Sequence, residues 1–168
     1  MNDSKFLFPL EWIDSSFCEK NWIKFRPLCI WDYEKWFCNV LKGLTSCDTD
    51  GQKFMEIFEE MYDINKVHPQ YFIVVWEDIW NWDIVLAWSI VIENKFIHGW
   101  HAVGHIEDIV VSKDFSGKWL GHHLINILVD LWKKQSCYKV ILDCTDDVLE
   151  FYKSCGFEQK NLWMAIYF

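Results

Sequence analysis

Apolar residues recur along the chain with two spacings, one typical of strands and one typical of helices. Trp22 to Pro27 alternates apolar and polar residues and ends at a proline, which predicts a short strand. Tyr71 to Trp76 is a second strand-like run, and Ile84 to Ile92 is apolar on both faces, as a central strand is. We predict that the last two segments pair as an antiparallel hairpin.

Helical spacing dominates between the first strand and this hairpin. Asp32 has the position of a helix N-cap, and Trp31 and Trp36 have the spacing of a hydrophobic staple, with apolar positions continuing to Leu44. A second helix is predicted from about Gly51 to Tyr62. Its apolar face consists of Phe54, Ile57, Phe58 and Met61.

The second half of the chain alternates strands and helices. The predicted segments are a strand from His105 to Val111, a helix from Gly121 to Ser136, a strand from Tyr138 to Leu142, a helix capped by Thr145 and ended by Gly156, and a strand from Met164 to Phe168. The order β, α, α, β, β, β, α, β, α, β predicts a single α/β domain. We expect a mixed, mostly antiparallel twisted sheet with helices on both faces.

Length and composition fit one domain with a large core. The 168 residues are 52% hydrophobic and 18% aromatic. We assign residues 21–168 to the domain and residues 1–20 to an N-terminal extension on its surface, with Phe6, Phe8 and Trp12 as anchors. Twelve tryptophans exceed ordinary usage, and we expect most of them to serve packing.

Charge and cysteine usage restrict the partners. A net charge of −9 argues against nucleic acid, and because Arg26 is the one arginine, a phosphate site would depend on Lys, His and backbone N–H groups. Seven scattered cysteines without a Cys-x-x-Cys pair suit reduced thiols in a reducing compartment, so we expect a cytoplasmic protein. The first thirteen residues make a poor signal peptide, and without an 18-residue apolar run we expect no membrane span.

The spacing of the histidines does not favour a metal site. His98, His101 and His105 have spacings that on a helix would form one face. Gly99 and Gly104 disfavour a helix there, so we expect loop and strand histidines and no metal.

One stretch, His105 to Gly121, concentrates the chemistry. Its strand carries adjacent carboxylates, Glu107 and Asp108, and a glycine-containing loop then leads into a helix. Strand, glycine loop and helix together offer a row of backbone N–H groups to a phosphate. Adjacent strand residues point to opposite faces, so only one carboxylate faces a given ligand unless a bulge intervenes.

Four motifs resemble the glucosamine-6-phosphate N-acetyltransferases of the general N-acetyltransferase superfamily. They are Gly-His-Ile-Glu-Asp-Ile-Val-Val from Gly104, Ser-Gly-Lys-Trp-Leu-Gly from Ser116, Cys-Tyr-Lys-Val-Ile-Leu-Asp-Cys from Cys137, and Phe-Tyr-Lys-Ser-Cys-Gly-Phe from Phe151. The resemblance extends from Trp22 to the C-terminus. It implies transfer of the acetyl group of acetyl-CoA to the amine of D-glucosamine 6-phosphate, a step of UDP-N-acetylglucosamine biosynthesis, by a homodimer.

The resemblance also implies where each substrate binds. Acetyl-CoA, as the co-substrate, would contact the strand and the loop through Ile109, Val110, Val111, Ser116, Gly117, Lys118, Trp119, Leu120, Gly121 and His122, with Tyr152 near the thioester sulfur. The phosphosugar would contact Thr45, Lys95, Glu107, Asp108 and Asp143.

Acyl transfer to an amine suggests a role for each catalytic candidate. A backbone N–H of the 109–111 strand could stabilise the oxyanion, and Tyr152 could protonate the leaving thiolate. Asp143 could accept the amine proton, while Glu107 and Asp108 could hold hydroxyls or the ammonium. Considered without the resemblance, Tyr152 fits a packed core tyrosine whose hydroxyl is hydrogen-bonded.

Three positions depart from the pattern that the resemblance implies. Trp119 replaces a usual glycine, Val148 a cofactor-contacting asparagine, and Tyr167 an arginine that helps hold the sugar phosphate. Two alternatives therefore stay open. One is acetyl transfer to another small amine or a peptide, and the other is a non-catalytic CoA-binding module.

Overall fold

The computed structural model describes residues 5–13, 23–78, 80–115 and 120–167. Within these ranges the strands and α-helices are β1 (Ile23–Pro27), α1 (Phe37–Leu41), α2 (Gly51–Val67), β2 (Tyr71–Asp78), β3 (Ile84–Asn94), β4 (Ala102–Val111), α3 (Leu120–Lys134), β5 (Cys137–Ile141) and α4 (Asp146–Ser154). None of the helices described in these ranges has both the length and the apolar character that crossing a membrane requires.

The five strands form one sheet in the order β1-β2-β3-β4-β5. The first four pair antiparallel, and β4 pairs with β5 in parallel. A parallel pair needs a crossover, and α3 lies in the connection between β4 and β5. The β2–β3 hairpin is confirmed, and so is the predicted α/β fold with its mixed, mostly antiparallel sheet.

Helices cover both faces of this sheet. Ser89 and Ile92 on β3 point to opposite faces because their positions differ by three, an odd number. On the Ser89 face, side chains of α1 and α2 line a cavity together with Ser89. On the other face, Gly104 pairs with Ile92, and a methyl group at Gly104 would lie 2.8 Å from the indole nitrogen of Trp132. Glycine at this position therefore lets α3 approach β4 closely.

Part of the N-terminal segment packs into the core. Of the predicted anchors, Phe8 is buried and Trp12 stacks on Phe72 with ring centroids 5.9 Å apart. Leu7, which was not predicted as an anchor, is also buried and donates its N–H to the Leu28 carbonyl at 2.9 Å. The boundary between extension and domain at residue 20 stays a prediction.

The first predicted helix is wrong in its start and its cap. Turns occupy residues 30–36, and the residue before α1 is Trp36, whose φ of 67° is left-handed. Asp32 caps no helix, because its buried carboxylate accepts hydrogen bonds from the Arg26 guanidinium and the Cys29 N–H. Trp31 and Trp36 are both exposed and form no staple.

The predicted C-terminal strand is absent over residues 164–167, and Phe168 lies outside the described residues. A strand exists only when a second strand satisfies its backbone hydrogen bonds, and no described segment of this chain pairs with the tail. The tail is nevertheless apolar, with Leu162, Met164 and Tyr167 each close to nine-tenths exposed.

The expectation that most tryptophans serve packing is also wrong for the described part of the chain. Trp76, Trp88 and Trp132 are buried and Trp12 is half-buried. The six exposed ones are Trp31, Trp36, Trp80, Trp82, Trp100 and Trp163. Trp31, Trp36 and Trp80 lie in turns, Trp82 lies just before β3, Trp100 lies in a short 3-10 helix, and Trp163 lies in the tail.

Candidate active site

An irregularity in β4 brings both adjacent carboxylates to one face of the sheet. Ala87 pairs with Val110 and Ser89 with Glu107, so two residues of β4 lie opposite the one residue between Ala87 and Ser89. Asp108 is one of the two, and its φ of 53° is the left-handed conformation of a β-bulge. Glu107 and Asp108 consequently line the same cavity. The strict alternation expected of a regular strand does not apply here.

The cavity lies between the sheet and the α1 and α2 helices and has a volume of about 380 Å³. Its wall is mainly apolar, and its described lining residues include no Lys, Arg or His. Two thiols also contribute, those of Cys38 and Cys47. Burial, together with the neighbouring Cys47, raises the pKa of Cys38 to about 11, so this thiol stays protonated at neutral pH.

Asp143 follows β5 and acts electrostatically on two other site residues. Burial raises the pKa of Glu107 above its ordinary value, and the negative charge of Asp143 raises it further, followed by the smaller effect of Asp108. Asp143 also raises the pKa of Tyr152. Glu107 and Asp108 thus share a cavity, and Asp143 acts electrostatically on Glu107 and on Tyr152.

Tyr152 on α4 has a packed ring. Its ring centroid lies 5.1 Å from that of Phe151 and 5.9 Å from that of Phe157. Burial is the main reason for its raised pKa. No described residue forms a hydrogen bond with its hydroxyl, which differs from the alternative of a core tyrosine with a satisfied hydroxyl. A tyrosine that holds its proton to high pH can donate that proton to a leaving thiolate.

A series of polar side-chain contacts connects Glu107 to the end of β3. His105 Nε2 lies 3.0 Å from Glu93 Oε2, and His105 Nδ1 lies 3.9 Å from Glu107 Oε1. Lys95 forms an ion pair with Glu93 on its other side. Sequence reasoning missed the roles of Glu93 and His105 because they meet only through the β3–β4 register, in which His105 pairs with Val91.

Two of the predicted sugar-binding residues lie outside the cavity wall. Thr45 is exposed beyond the end of α1, and Lys95 follows the end of β3. Cys47 and Thr49 line the cavity instead. The sequence held no signal for these two, because their segment is a loop without periodicity.

The edge of β4 beyond the carboxylates has no described partner strand on the β5 side. The described pairing of β4 with β5 ends at His105 and Ile141, although β4 continues to Val111. Backbone groups along that edge of residues 109–111 are thus available to an extended ligand. These are residues predicted to contact the cofactor.

The predicted phosphate loop is only partly described. Ser116, Gly117, Lys118 and Trp119 lie outside the described residues. Leu120, Gly121 and His122 belong to the first turn of α3. The start of a 15-residue helix follows directly after the loop, as the sequence predicts.

A family model described as the acetyltransferase (GNAT) family matches residues 31–157. This span includes the carboxylate bulge, the loop and α4. It covers more than half of the chain.

Individual relatives extend the match. The chain is 39% identical over 145 residues to glucosamine 6-phosphate N-acetyltransferase 1 of Dictyostelium discoideum, covering 86% of this chain and 90% of that protein. It is 38% identical over 146 residues to the Arabidopsis thaliana glucosamine 6-phosphate N-acetyltransferase, covering 86% and 96%.

The fold agrees with solved structures of similar proteins. The crystal structure of the Arabidopsis thaliana glucosamine-6-phosphate N-acetyltransferase superposes with a TM-score of 0.80 at 37% identity, over 87% of this chain and 98% of that one. An acetyltransferase from Trypanosoma brucei superposes with a TM-score of 0.77 at 31% identity, over 87% of this chain and 99% of that one. The chain belongs to the acetyltransferase (GNAT) family, and within it to the glucosamine 6-phosphate N-acetyltransferases.

Proposed function

We propose that this enzyme transfers the acetyl group of acetyl-CoA to the amine of D-glucosamine 6-phosphate, giving CoA and N-acetyl-D-glucosamine 6-phosphate. The observation that carries the proposal is the bulge that points Glu107 and Asp108 into one cavity, with Asp143 and Tyr152 nearby. The relatives named for this reaction support the choice of acceptor. The product would feed the synthesis of UDP-N-acetylglucosamine.

The amine enters as an ammonium ion, which the three carboxylates attract. Because Asp143 and Asp108 raise the pKa of Glu107, a cation beside Glu107 relieves their mutual repulsion. Asp143 then accepts the proton that the ammonium must lose before attack. The neutral nitrogen bonds to the thioester carbon, and the electron pair of the broken C–S bond goes to sulfur.

The leaving group and the oxyanion are handled on the β4 side. Tyr152 protonates the departing thiolate, since its own pKa is raised and its hydroxyl has no described partner. A backbone N–H along residues 109–111 stabilises the oxyanion, because that edge of β4 has no described partner strand. The pantetheine arm lies along the same edge, and the cofactor diphosphate contacts residues 116–122.

The phosphate of the sugar points away from the cavity and toward Lys95. Lys95 is the cationic side chain at the end of the contacts that run from Glu107 through His105 and Glu93. Arg26 is unavailable, because its guanidinium is buried and paired with two carboxylates. Lys95 thus takes the place of the arginine that Tyr167 replaces in the family pattern.

The active enzyme is a homodimer. Leu162, Trp163, Met164, Ile166 and Tyr167 expose large apolar side chains on a tail that no described strand pairs with. Apolar surface of this extent needs a cover, and a second copy can supply a strand partner as well. Sedimentation velocity at micromolar concentration should show a dimer, and a purely monomeric boundary would contradict this assignment.

The compartment is the cytoplasm. Five of the described cysteines, Cys29, Cys38, Cys47, Cys137 and Cys144, are free thiols. Free thiols are the usual state in a reducing compartment. A tagged chain followed by fluorescence in its own cells, with its N-terminus unmodified, would test the location.

The reaction is tested by mixing the full-length protein with acetyl-CoA and glucosamine 6-phosphate and following release of free thiol. Plain glucosamine is the matched acceptor without a phosphate. We expect release with the phosphosugar at a kcat/KM at least about tenfold higher than with glucosamine, because one charge-assisted contact to phosphate contributes about 1.5–3 kcal/mol.

Lys95→Met tests the phosphate contact, with Lys66→Met on the exposed part of α2 as its control. The first change should bring the two acceptors closer together in kcat/KM, and the second should leave their ratio as it is. CoA binding without acetylation of either sugar would instead support a non-catalytic module.

A further inference from the structure

We propose that the cavity beside Glu107 and Asp108 also accepts small primary amines with an apolar body, such as arylalkylamines, which the enzyme acetylates from acetyl-CoA. The proposal rests on the proposed acetyl transfer and extends its acceptor range. It follows from the mismatch between this cavity and a phosphosugar.

The charge of the cavity excludes a phosphate from its interior. Glu107 and Asp108 are the carboxylates among its described lining residues, and none of these described residues is Lys, Arg or His. A sugar phosphate placed inside would add negative charge next to these carboxylates without a described cation to compensate for it. The phosphosugar can therefore present its amine to the carboxylates only with its phosphate outside, which leaves the interior unused.

The residues that line the interior favour an apolar ligand group. Its wall includes the apolar side chains of Phe37, Leu41, Phe54, Ile57, Phe58 and Ile73. Among the described lining residues, the ionisable groups besides the two carboxylates are two thiols and one tyrosine. Apolar pockets of roughly 300–1,000 Å³ with a few convergent polar groups are typical sites for small organic ligands. The volume of about 380 Å³ lies in this range and accommodates one aromatic ring with a short chain.

The carboxylates and the aromatic wall together suit a cation with an apolar tail. Glu107 and Asp108 attract the ammonium group electrostatically, and the phenylalanine rings bury the hydrocarbon part. The same carboxylates place the amine beside the bulge of β4, where the thioester of acetyl-CoA lies in the proposed complex. An anionic or strongly hydrated acceptor gains neither contribution inside the cavity.

The chemistry is the same acyl transfer and balances without a further reactant. The ammonium gives up one proton to a site carboxylate, and its nitrogen forms a C–N bond with the thioester carbon. The C–S bond breaks and its electron pair remains on sulfur, and the thiolate takes up the second proton, which the nitrogen loses as the amide forms. The products are the N-acetylated amine, CoA as a free thiol, and one proton released to solvent.

The experiment compares 2-phenylethylamine with ethanolamine and glucosamine 6-phosphate as acceptors for the full-length protein, with thiol release and product mass as readouts. Ethanolamine has the same ammonium group without the apolar ring. We expect kcat/KM for 2-phenylethylamine to exceed that for ethanolamine at least about tenfold, because apolar pockets discriminate by such factors. We also expect 2-phenylethylamine to inhibit phosphosugar acetylation competitively.

A pair of matched variants locates the effect. Ile57 and Met55 are both partly exposed on α2, at 38% and 43%, but only Ile57 lines the cavity. Ile57→Lys should lower the ratio of kcat/KM for 2-phenylethylamine over the phosphosugar at least about tenfold, since it replaces apolar wall by a cation that repels the ammonium. Met55→Lys should leave this ratio within about twofold, and thermal unfolding should confirm that both variants are folded.

The outcomes separate the two claims. One outcome is that the enzyme acetylates glucosamine 6-phosphate but shows a kcat/KM for 2-phenylethylamine no higher than that for ethanolamine. This result would overturn the proposed apolar acceptor and leave the proposed function intact. If Ile57→Lys and Met55→Lys lower the ratio of kcat/KM for 2-phenylethylamine over the phosphosugar equally, the assignment to this cavity is overturned. Thiol release with none of the three acceptors contradicts the proposed function itself.

Discussion

Two clusters of charged side chains lie toward opposite edges of the sheet and behave in opposite ways. Near β1 and β2, Arg26 donates to both oxygens of Asp32 at 2.7 and 2.8 Å and to both oxygens of Glu77 at 3.0 Å. Near β4 and β5, the carboxylates of Glu107, Asp108 and Asp143 form no ion pair with any described Lys or Arg.

The pKa directions of the two clusters differ accordingly. Burial alone would raise the pKa of Glu77, but hydrogen bonds from Arg26 and Lys35 outweigh it and leave that pKa below its ordinary value. The pKa of Glu107 is raised by burial and by its acidic neighbours. A cluster whose charges are paired within the protein has a structural role, whereas carboxylates that repel one another favour binding of a cationic ligand.

Breaking the Arg26 cluster should have the largest effect, on stability. Asp32→Asn removes one of the two charges that compensate a guanidinium with 3% exposure. The free energy of unfolding should fall by about 3–5 kcal/mol, because the remaining buried charge is left only partly paired. Urea denaturation measures this loss.

The control for Asp32→Asn is Asp130→Asn on α3, where the aspartate is exposed and lies 3.6 Å from Lys133. An exposed pair of this kind contributes at most about 1 kcal/mol. Equal losses in the two variants would show that the Arg26 cluster is not a special contributor. Acetyl transfer per folded molecule should be the same in both variants.

Removing a hydroxyl near the second cluster should affect turnover instead. Tyr152→Phe should lower kcat with glucosamine 6-phosphate about a hundredfold, with KM changed by less than about threefold, since general acids typically contribute 10²–10⁴-fold. The ring contacts with Phe151 and Phe157 are retained, so stability should change little. Single-turnover kinetics isolate the chemical step.

Tyr138→Phe is the control for the tyrosine change, because Tyr138 on β5 is partly exposed and its ring lies against that of His98 with centroids 4.6 Å apart. Its turnover should match the unmodified enzyme. If Tyr152→Phe retains full turnover with chemistry rate-limiting, Tyr152 has no part in the mechanism.

The smallest effect is a pH-dependent one at Glu107. Its raised pKa in the folded state means that its contribution to stability is present at low pH and is lost as the pH rises through the folded value. Relative to the unmodified chain, Glu107→Gln should therefore gain stability as the pH rises above the ordinary pKa of a glutamate, as followed by urea denaturation. Glu77, whose pKa is lowered, contributes with the opposite sign.

Carboxyl carbon NMR gives an independent check on Glu107. In Asp143→Asn, the titration of Glu107 should move to lower pH because one negative neighbour is neutralised. A titration midpoint that does not move would show that Asp143 lies too far from Glu107 to act on it.

The sequence by itself determined the helices and strands whose apolar spacing lies within the segment itself. The β2–β3 hairpin, β4, α3 and the strand that follows it were predictable, because buried strands and amphipathic helices carry an apolar period that is local to the segment. The carboxylate pair, Asp143 and Tyr152 were also identifiable, through motifs with fixed spacing. Thr145 and Gly156 lie at the two ends of α4, as predicted.

Only the tertiary structure decided how those residues face one another. A bulge at Asp108 changes which face a side chain occupies, and it depends on the register with β3 rather than on the β4 sequence alone. Asp32 resembles a helix cap in the sequence, yet Arg26 and the Cys29 N–H bind its carboxylate. The apolar tail is not a strand, because hydrogen-bond partners for a strand come from distant parts of a chain or from another chain. The apolar spacing within a segment can be read from the sequence, whereas strand pairing and charge compensation arise only when distant segments meet.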